Sequence, residues 1–150
     1  MKIMNRHERV FDTTPERLAP LIADFDRIWA AEYGPAPRLV GDRLYEAGRM
    51  LWREYDRPGA LRAFRVVRPD ELRVEHWFEA EPAEGGTILR HTVEGYATGK
   101  YEAIWQMRIE PSHDVELEAL LDNVQAAISR DALLRCSLTA RRCRPWRGRR

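Results

Sequence analysis

The stretch that decides the fold is a pair of alternating segments, LRVEHWFEA at residues 72–80 and TILRHTVEG at residues 87–95, joined by EPAEGG. In each segment, apolar residues and one histidine alternate with charged or polar residues, as in a strand with one buried face. The pattern therefore predicts a β-hairpin. The residues of its buried face are Val74, His76, Phe78, Ala80, Leu89, His91 and Val93.

One register of this hairpin pairs the apolar residues with each other. If Ala80 lies opposite Thr87, Phe78 faces Leu89 and His76 faces His91. A slip of one residue would turn the whole buried face to solvent. Directly opposed Cβ atoms lie roughly 4.5–5.5 Å apart, so the two imidazoles should touch. They are either hydrogen-bonded parts of the core or groups that contact a ligand or substrate.

Other arrangements of reactive residues are weaker. Two histidines need a third ligand, and because no Cys or carboxylate stands at a suitable spacing we predict no metal site. A second candidate is His113-Asp114, which could shuttle a proton. We favour a structural interpretation, in which Ser112 caps a helix and Asp114 complements its dipole. No Ser, Cys or Lys nucleophile lies in a recognisable motif.

The charge is distributed unevenly. The 150 residues include 25 basic and 24 acidic ones, but eight Arg and one Asp follow Ile128. The first 128 residues are thus mildly acidic, and a basic tail follows them. No segment has the length of a membrane span, the start lacks the apolar core of a signal peptide, and both Cys lie in the tail. We therefore expect a cytoplasmic protein.

The segments before the hairpin predict short elements. Residues 2–12 alternate like a first strand, and Thr14-Pro15-Glu16 has the composition of a helix start. A second short helix is predicted over residues 26–31. Strands then flank two turn signals, Gly41-Asp42 and Arg57-Pro58-Gly59.

The segments after the hairpin predict a helix. Residues 115–128 carry an apolar stripe at helical spacing, whereas residues 100–110 fit a strand or a helix equally well. Pro111 should end or kink the element before it. Residues 129–150 form the basic tail, for which we expect a helix extension followed by a disordered, solvated terminus rather than contact with nucleic acid or an anionic membrane.

The order of these elements resembles the helix-grip fold of the START/Bet v 1-like superfamily (SRPBCC), in particular its bacterial polyketide cyclase and lipid-transport members. The resemblance covers residues 3–128 and rests on four features besides the meander of strands. These are Thr14-Pro15-Glu16 after the first strand, GGTILRH at residues 85–91, Gly99 followed by Trp105, and IEPSHDVELEALLD at residues 109–122.

The resemblance implies a single α+β domain over residues 1–128. A seven-stranded antiparallel sheet would wrap around a long C-terminal helix, with two short helices after strand 1. Residues 100–110 would be helical and continue past a kink at Pro111. A cavity between sheet and helix would have its mouth near Trp29, Tyr33 and Tyr55. The expected ligand-binding residues are Val74, His76, Phe78, Leu89, His91, Val93, Trp29, Tyr55 and Trp105.

The function expected from this fold is binding of a small hydrophobic or aromatic molecule, lipid-like or polyketide-like. One alternative is an enzyme of the polyketide cyclase or aromatase type, in which His76 and His91 act as general acid and base. Another is a non-catalytic interaction domain whose own side chains fill the cavity. We expect no cofactor, and a monomer or homodimer.

Overall fold

The computed structural model describes residues 1–142, and for residues 134–142 only the backbone. Its centre is one antiparallel sheet with the strand order β1-β7-β6-β5-β4-β3-β2, so that β1 and β2 are the edges. The seven predicted strands are confirmed. They are β1 (Lys2–Phe11), β2 (Arg38–Gly41), β3 (Leu44–Ala47), β4 (Met50–Glu54), β5 (Ala60–Arg68), β6 (Leu72–Ala83) and β7 (Gly86–Ala97).

Two short helices follow β1, as predicted: α1 (Pro15–Ala23) and α2 (Phe25–Ile28), the latter followed by a 3₁₀ turn at Ala31–Tyr33. From Lys100 to Arg142 the chain is helical throughout. It forms α3 (Lys100–Ile104), a π-helical turn (Trp105–Ile109) and the long α4 (Glu110–Arg142). The helical interpretation of residues 100–110 is therefore correct.

The irregularity near Pro111 is a π-helical turn that ends just before it. In this turn the Glu110 N–H donates to the Trp105 carbonyl, five residues back. Proline has no N–H to offer to the turn before it, and a π turn is one way to absorb that mismatch. Because the helix is already formed at Glu110, Ser112 does not cap a helix start. The capping interpretation of Ser112 and Asp114 is therefore wrong.

The hairpin of β6 and β7 has a register two residues away from the predicted one. His76 lies opposite Val93 and Phe78 opposite His91, because β6 continues to Ala83 and closes on Gly86 through the two-residue turn Glu84-Gly85. Two-residue turns are the commonest hairpin connection. A shift of two residues keeps every side chain on its predicted face.

Pro82 fits within β6 because of where it lies. The pairing of β6 with β5 ends at Glu79, so beyond that point β7 is the only strand of the described chain that pairs with β6. A proline is tolerated where one side of a strand is unpaired. The sequence segment EPAEGG, taken as a loop, is therefore mostly strand.

The sheet curves around α4 and buries an apolar core against it. Four residues of the predicted apolar stripe of α4 are buried, namely Leu117, Leu120, Leu121 and Val124. The fifth, Ile128, is partly buried, and Ala127 is buried beside it. Each fully buried aliphatic side chain stabilises the fold by about 1.5–3 kcal/mol. A second apolar cluster lies under the other end of the sheet, around Ile3, Leu72 and Trp105.

Two further features concern the ends of the chain. Within residues 1–142, no helix combines the length and apolar character needed to span a bilayer. Helix α4 continues without a break across the predicted boundary between residues 128 and 129. The division into domain and tail stays a prediction, and residues 143–150 lie outside the described part of the chain.

Candidate ligand-binding cavity

A cavity of about 350 Å³ lies between the sheet and the helical segment that follows it. Strands β4 to β7 form one wall, and the π-helical turn and the start of α4 form the other. Apolar groups dominate the lining, and three polar residues on successive helical turns, Arg108, Ser112 and Glu116, form one side of it. Because Arg108 and Ser112 are exposed, this side is where the cavity meets solvent.

Seven of the nine predicted site residues line the cavity. They are Trp29, Val74, His76, Phe78, His91, Val93 and Trp105. Leu89 shares their face of the sheet but is fully buried in the adjoining core cluster. Tyr55 lies on the opposite face, where its hydroxyl donates to the Glu75 carboxylate at 2.7 Å. Tyr33 is outside the lining as well, so of the predicted mouth residues only Trp29 reaches the cavity.

The two cavity histidines are in contact although they are not cross-strand partners. The Nδ1 atom of His76 lies 3.3 Å from the Nε2 atom of His91. Both rings are buried, and the other nitrogen of each ring has no hydrogen-bond partner among the described residues. A neutral imidazole has one donor and one acceptor. Whichever of the two rings donates to the other, one buried N–H and one buried lone pair therefore stay unpaired among the described residues.

Burial keeps these rings neutral. Desolvation, with smaller contributions from His113 and Arg62, lowers the pKa of His76 to about 3. Desolvation also lowers the pKa of His91 well below its ordinary value. The cause is that an imidazolium loses its hydration in an apolar wall. At neutral pH the pair is an uncharged hydrogen-bonding group on the sheet wall of a mainly apolar cavity.

Several wall residues were not predicted from the sequence. The indole of Trp52 lies 4.5 Å from the His76 ring, centroid to centroid, and its Nε1 atom is buried without a partner among the described residues. Met50 and Trp52 alternate along β4, and this alternation was a usable signal for an inward face. Glu116 was missed because the sequence was interpreted as a helix start at Ser112, where acidic residues are ordinary. In the structure, burial raises the pKa of the Glu116 carboxyl.

All four histidines of the chain lie in one row. The His91 ring is 5.2 Å from the His113 ring, which is 5.8 Å from the His7 ring, centroid to centroid. The row runs from the buried His76 to the edge strand β1, where His7 is the cross-strand neighbour of His91. Burial next to His7 lowers the pKa of His113 to about 4.

At the outer end of this row, β1 and α4 are joined by polar contacts. The two ring nitrogens of His7 lie 3.0 Å from carboxylate oxygens, Nε2 from Asp114 and Nδ1 from Glu118. Asn5 donates to Asp114 at 2.8 Å. The donor atoms of His7, His113 and Asp114 all lie within 4.8 Å of one another. Sequence analysis missed this cluster, because β1 and α4 are more than 100 residues apart in the chain.

The sheet, the long helix and the cavity between them define a helix-grip protein. Comparison with solved structures finds this fold in other proteins, which confirms the helix-grip fold predicted from the sequence. No protein-family profile and no curated protein matches the sequence.

Three of the similar structures illustrate the match. TTHA0849 from Thermus thermophilus has a TM-score of 0.58 and 18% identity over 86% of this chain and 99% of its own. CalU16 from Micromonospora echinospora has a TM-score of 0.54 and 15% identity over 85% and 83%. Ara h 8.0201 has a TM-score of 0.55 and 15% identity over 84% and 99%. At these identities the likeness concerns the fold.

Proposed function

We propose that the protein binds a small, mainly apolar molecule that carries at least one hydrogen-bonding group. The observation that supports this most directly is the cavity of about 350 Å³, which lies within the range of roughly 300–1,000 Å³ typical of small-molecule sites. Such sites combine an apolar lining with a few polar groups that orient the ligand. The proposed binding residues are those predicted residues that line the cavity, with Trp52 added.

The unpaired nitrogens in the wall indicate the polar part of the ligand. His76 Nε2, His91 Nδ1 and Trp52 Nε1 are buried without a partner among the described residues. Leaving a buried donor or acceptor unpaired costs about 1–3 kcal/mol. A ligand hydroxyl or carbonyl that reaches one of these atoms would recover part of that free energy. An aromatic alcohol or ketone therefore suits the cavity better than a pure hydrocarbon.

Binding can be tested with 2-naphthol as the probe. Native mass spectrometry of the freshly purified chain first shows whether a molecule co-purifies. Calorimetric titration with 2-naphthol should then give saturable binding with one site per chain. Val93→Phe narrows the cavity and should weaken binding at least tenfold, whereas Val67→Phe makes the same change at an exposed position of β5 and should not. Equal affinities of the two variants would contradict the proposal.

A second candidate function is catalysis of the polyketide cyclase or aromatase type, with His76 and His91 moving protons. The hydrogen-bonded pair on the cavity wall favours it. The low pKa of His76 argues against it, because a general base works best with a pKa near the operating pH. We therefore place binding first. Turnover of an aromatic polyketide by the pure protein, lost in His76→Phe, would reverse this order.

The interaction-domain alternative is disfavoured by the same cavity. In that alternative the protein's own side chains would fill the space between sheet and helix. A volume of about 350 Å³ is too large to be an ordinary packing defect, since interiors hold few voids larger than a water molecule. The cytoplasmic location and the oligomeric state stay predictions.

A further inference from the structure

We propose that His7, His113 and Asp114 form a binding site for a divalent transition-metal ion, with Zn²⁺ the ion that best suits the three donors. This departs from the expectation, based on sequence spacing, that the chain holds no metal. The fold supplies the third ligand that the sequence spacing does not, because β1 brings His7 next to His113 and Asp114 of α4.

Two of the three separations between donor atoms are close to an edge of a tetrahedron, and the third, between His7 and His113, is no more than 4.8 Å. With Zn–N and Zn–O bonds of about 2.0–2.2 Å, tetrahedral ligand atoms lie about 3.3–3.5 Å apart. Here the Asp114 Oδ1 atom lies 3.0 Å from His7 Nε2 and 3.7 Å from His113 Nδ1. A shift of a few tenths of an ångström in each side chain would make the two separations equal.

The surroundings of the three donors are those of a metal site. A ligating histidine usually donates its other ring N–H to a carboxylate, which fixes its tautomer and orientation. The Nδ1 atom of His7 lies 3.0 Å from Glu118, which can accept that proton, and Asn5 holds the Asp114 carboxylate at 2.8 Å. Arg9 in turn fixes Glu118 at 2.7 Å. The Asn5 amide and His7 Nε2 contact the same oxygen, Asp114 Oδ1, so these contacts fix the positions of two of the three donors.

An ion pair between His7 and the two carboxylates accounts for His7 but not for the position of His113. Its Nδ1 atom is buried and has no hydrogen-bond partner among the described residues, although it lies near Asp114. A bound metal ion would give this atom a partner. Two imidazoles and one carboxylate leave a fourth position open in a tetrahedral site, as in catalytic zinc centres. Because His113 also lines the cavity, the ion would lie at the cavity wall.

The test is metal titration of the full chain after treatment with a chelator. We expect one Zn²⁺ per chain by calorimetry, a rise in melting temperature, and visible absorption bands of four-coordinate Co²⁺ that Zn²⁺ abolishes. His113→Asn and Asp114→Asn should remove saturable binding. Glu118→Gln should weaken it by about 10–100-fold, the usual effect of losing a group that orients a ligand.

Matched controls separate this site from other metal-binding groups. Asp122→Asn changes a carboxylate on the same face of α4 that contacts Arg9 and should leave the affinity unchanged. A variant with Cys136→Ser and Cys143→Ser should bind equally well. Circular dichroism checks that each variant is folded. Absence of 1:1 binding, or binding that survives in folded His113→Asn but is lost without the cysteines, would overturn the proposal.

Discussion

The Nδ1 atom of His76 and the Nε2 atom of His91 lie 3.3 Å apart on the cavity wall, although the strand register pairs His76 with Val93. The contact is diagonal across β6 and β7, and such neighbours are within reach of ring side chains. It places a neutral polar pair on the sheet wall of the cavity, whose other residues are apolar or aromatic.

The first prediction concerns the pH dependence of stability. An unfolded histidine binds a proton below about pH 6.5, whereas folded His76, with a pKa of about 3, does not. Between these values the unfolded state binds more protons, so the free energy of unfolding falls as the pH is lowered. The loss is on the order of 1 kcal/mol per pH unit for such a histidine. Urea denaturation between pH 7 and pH 4 measures it.

His76→Phe removes one titrating group and should flatten this pH dependence. Trp52→Phe changes the same wall without removing a titratable group and should keep the wild-type slope. Equal slopes for wild type and His76→Phe would show that His76 is not buried in its neutral form.

The second prediction compares two leucines of α4. Leu121 is 1% exposed and packs in the main core, whereas Leu133 is 71% exposed. Leu121→Ala should lower the free energy of unfolding by about 2–5 kcal/mol because it leaves a cavity. Leu133→Ala should change it by no more than about 0.5 kcal/mol. Thermal and urea unfolding of both variants measure these changes. Similar losses of stability in the two variants would show that Leu121 does not pack in the core.

The third prediction concerns Arg62, whose side chain is 8% exposed. It donates to Glu54 at 2.9 Å and to the Tyr45 hydroxyl at 2.9 Å. Arg62→Met would leave the Glu54 carboxylate without its partner in a half-buried place, which should cost about 3–5 kcal/mol. Arg65→Met is the control, since Arg65 is 51% exposed and its pair with Glu75 should contribute less than about 1 kcal/mol. Chemical denaturation measures the free energy of unfolding of both variants. Equally small losses in Arg62→Met and Arg65→Met would contradict the prediction.

The fourth prediction concerns Gly95 in β7. Its φ is +152°, and a Cβ at this position would lie 2.1 Å from the Arg73 carbonyl oxygen of the neighbouring strand. Gly95→Ala should therefore destabilise the protein by more than about 1 kcal/mol. At Gly41 the nearest atom to such a Cβ is 3.6 Å away, so Gly41→Ala should be tolerated. Melting temperatures compare the two, and a harmless Gly95→Ala would mean that β6 and β7 are not this close.

The faces of the strands could be read from the sequence because side chains alternate with a period of two. Val74, His76 and Phe78 face the cavity as predicted, even though the register of the hairpin was wrong by two residues. The face on which a side chain lies depends on whether its position in the strand is odd or even. The register between two strands depends instead on the turn that joins them. The Glu84-Gly85 turn was obscured by Pro82, which is usually a sign that a strand has ended.

The sequence could not reveal residues that meet only through the fold. Trp52 reaches His76 because β4 and β6 both pair with β5, and nothing in either strand predicts that distance. Tyr55 was assigned to the cavity mouth because it is near a predicted strand turn, but it lies on the opposite face of the sheet and donates to Glu75.

By itself, the sequence determined the order of the elements, the buried face of the central hairpin and the apolar stripe of the long helix. These depend on periodicity, which short segments carry. Only the tertiary structure decided that all four histidines form one row and that His7 meets Asp114, because that contact joins the edge strand to a helix 107 residues away. Contacts at such separations are set by how sheet and helix pack together.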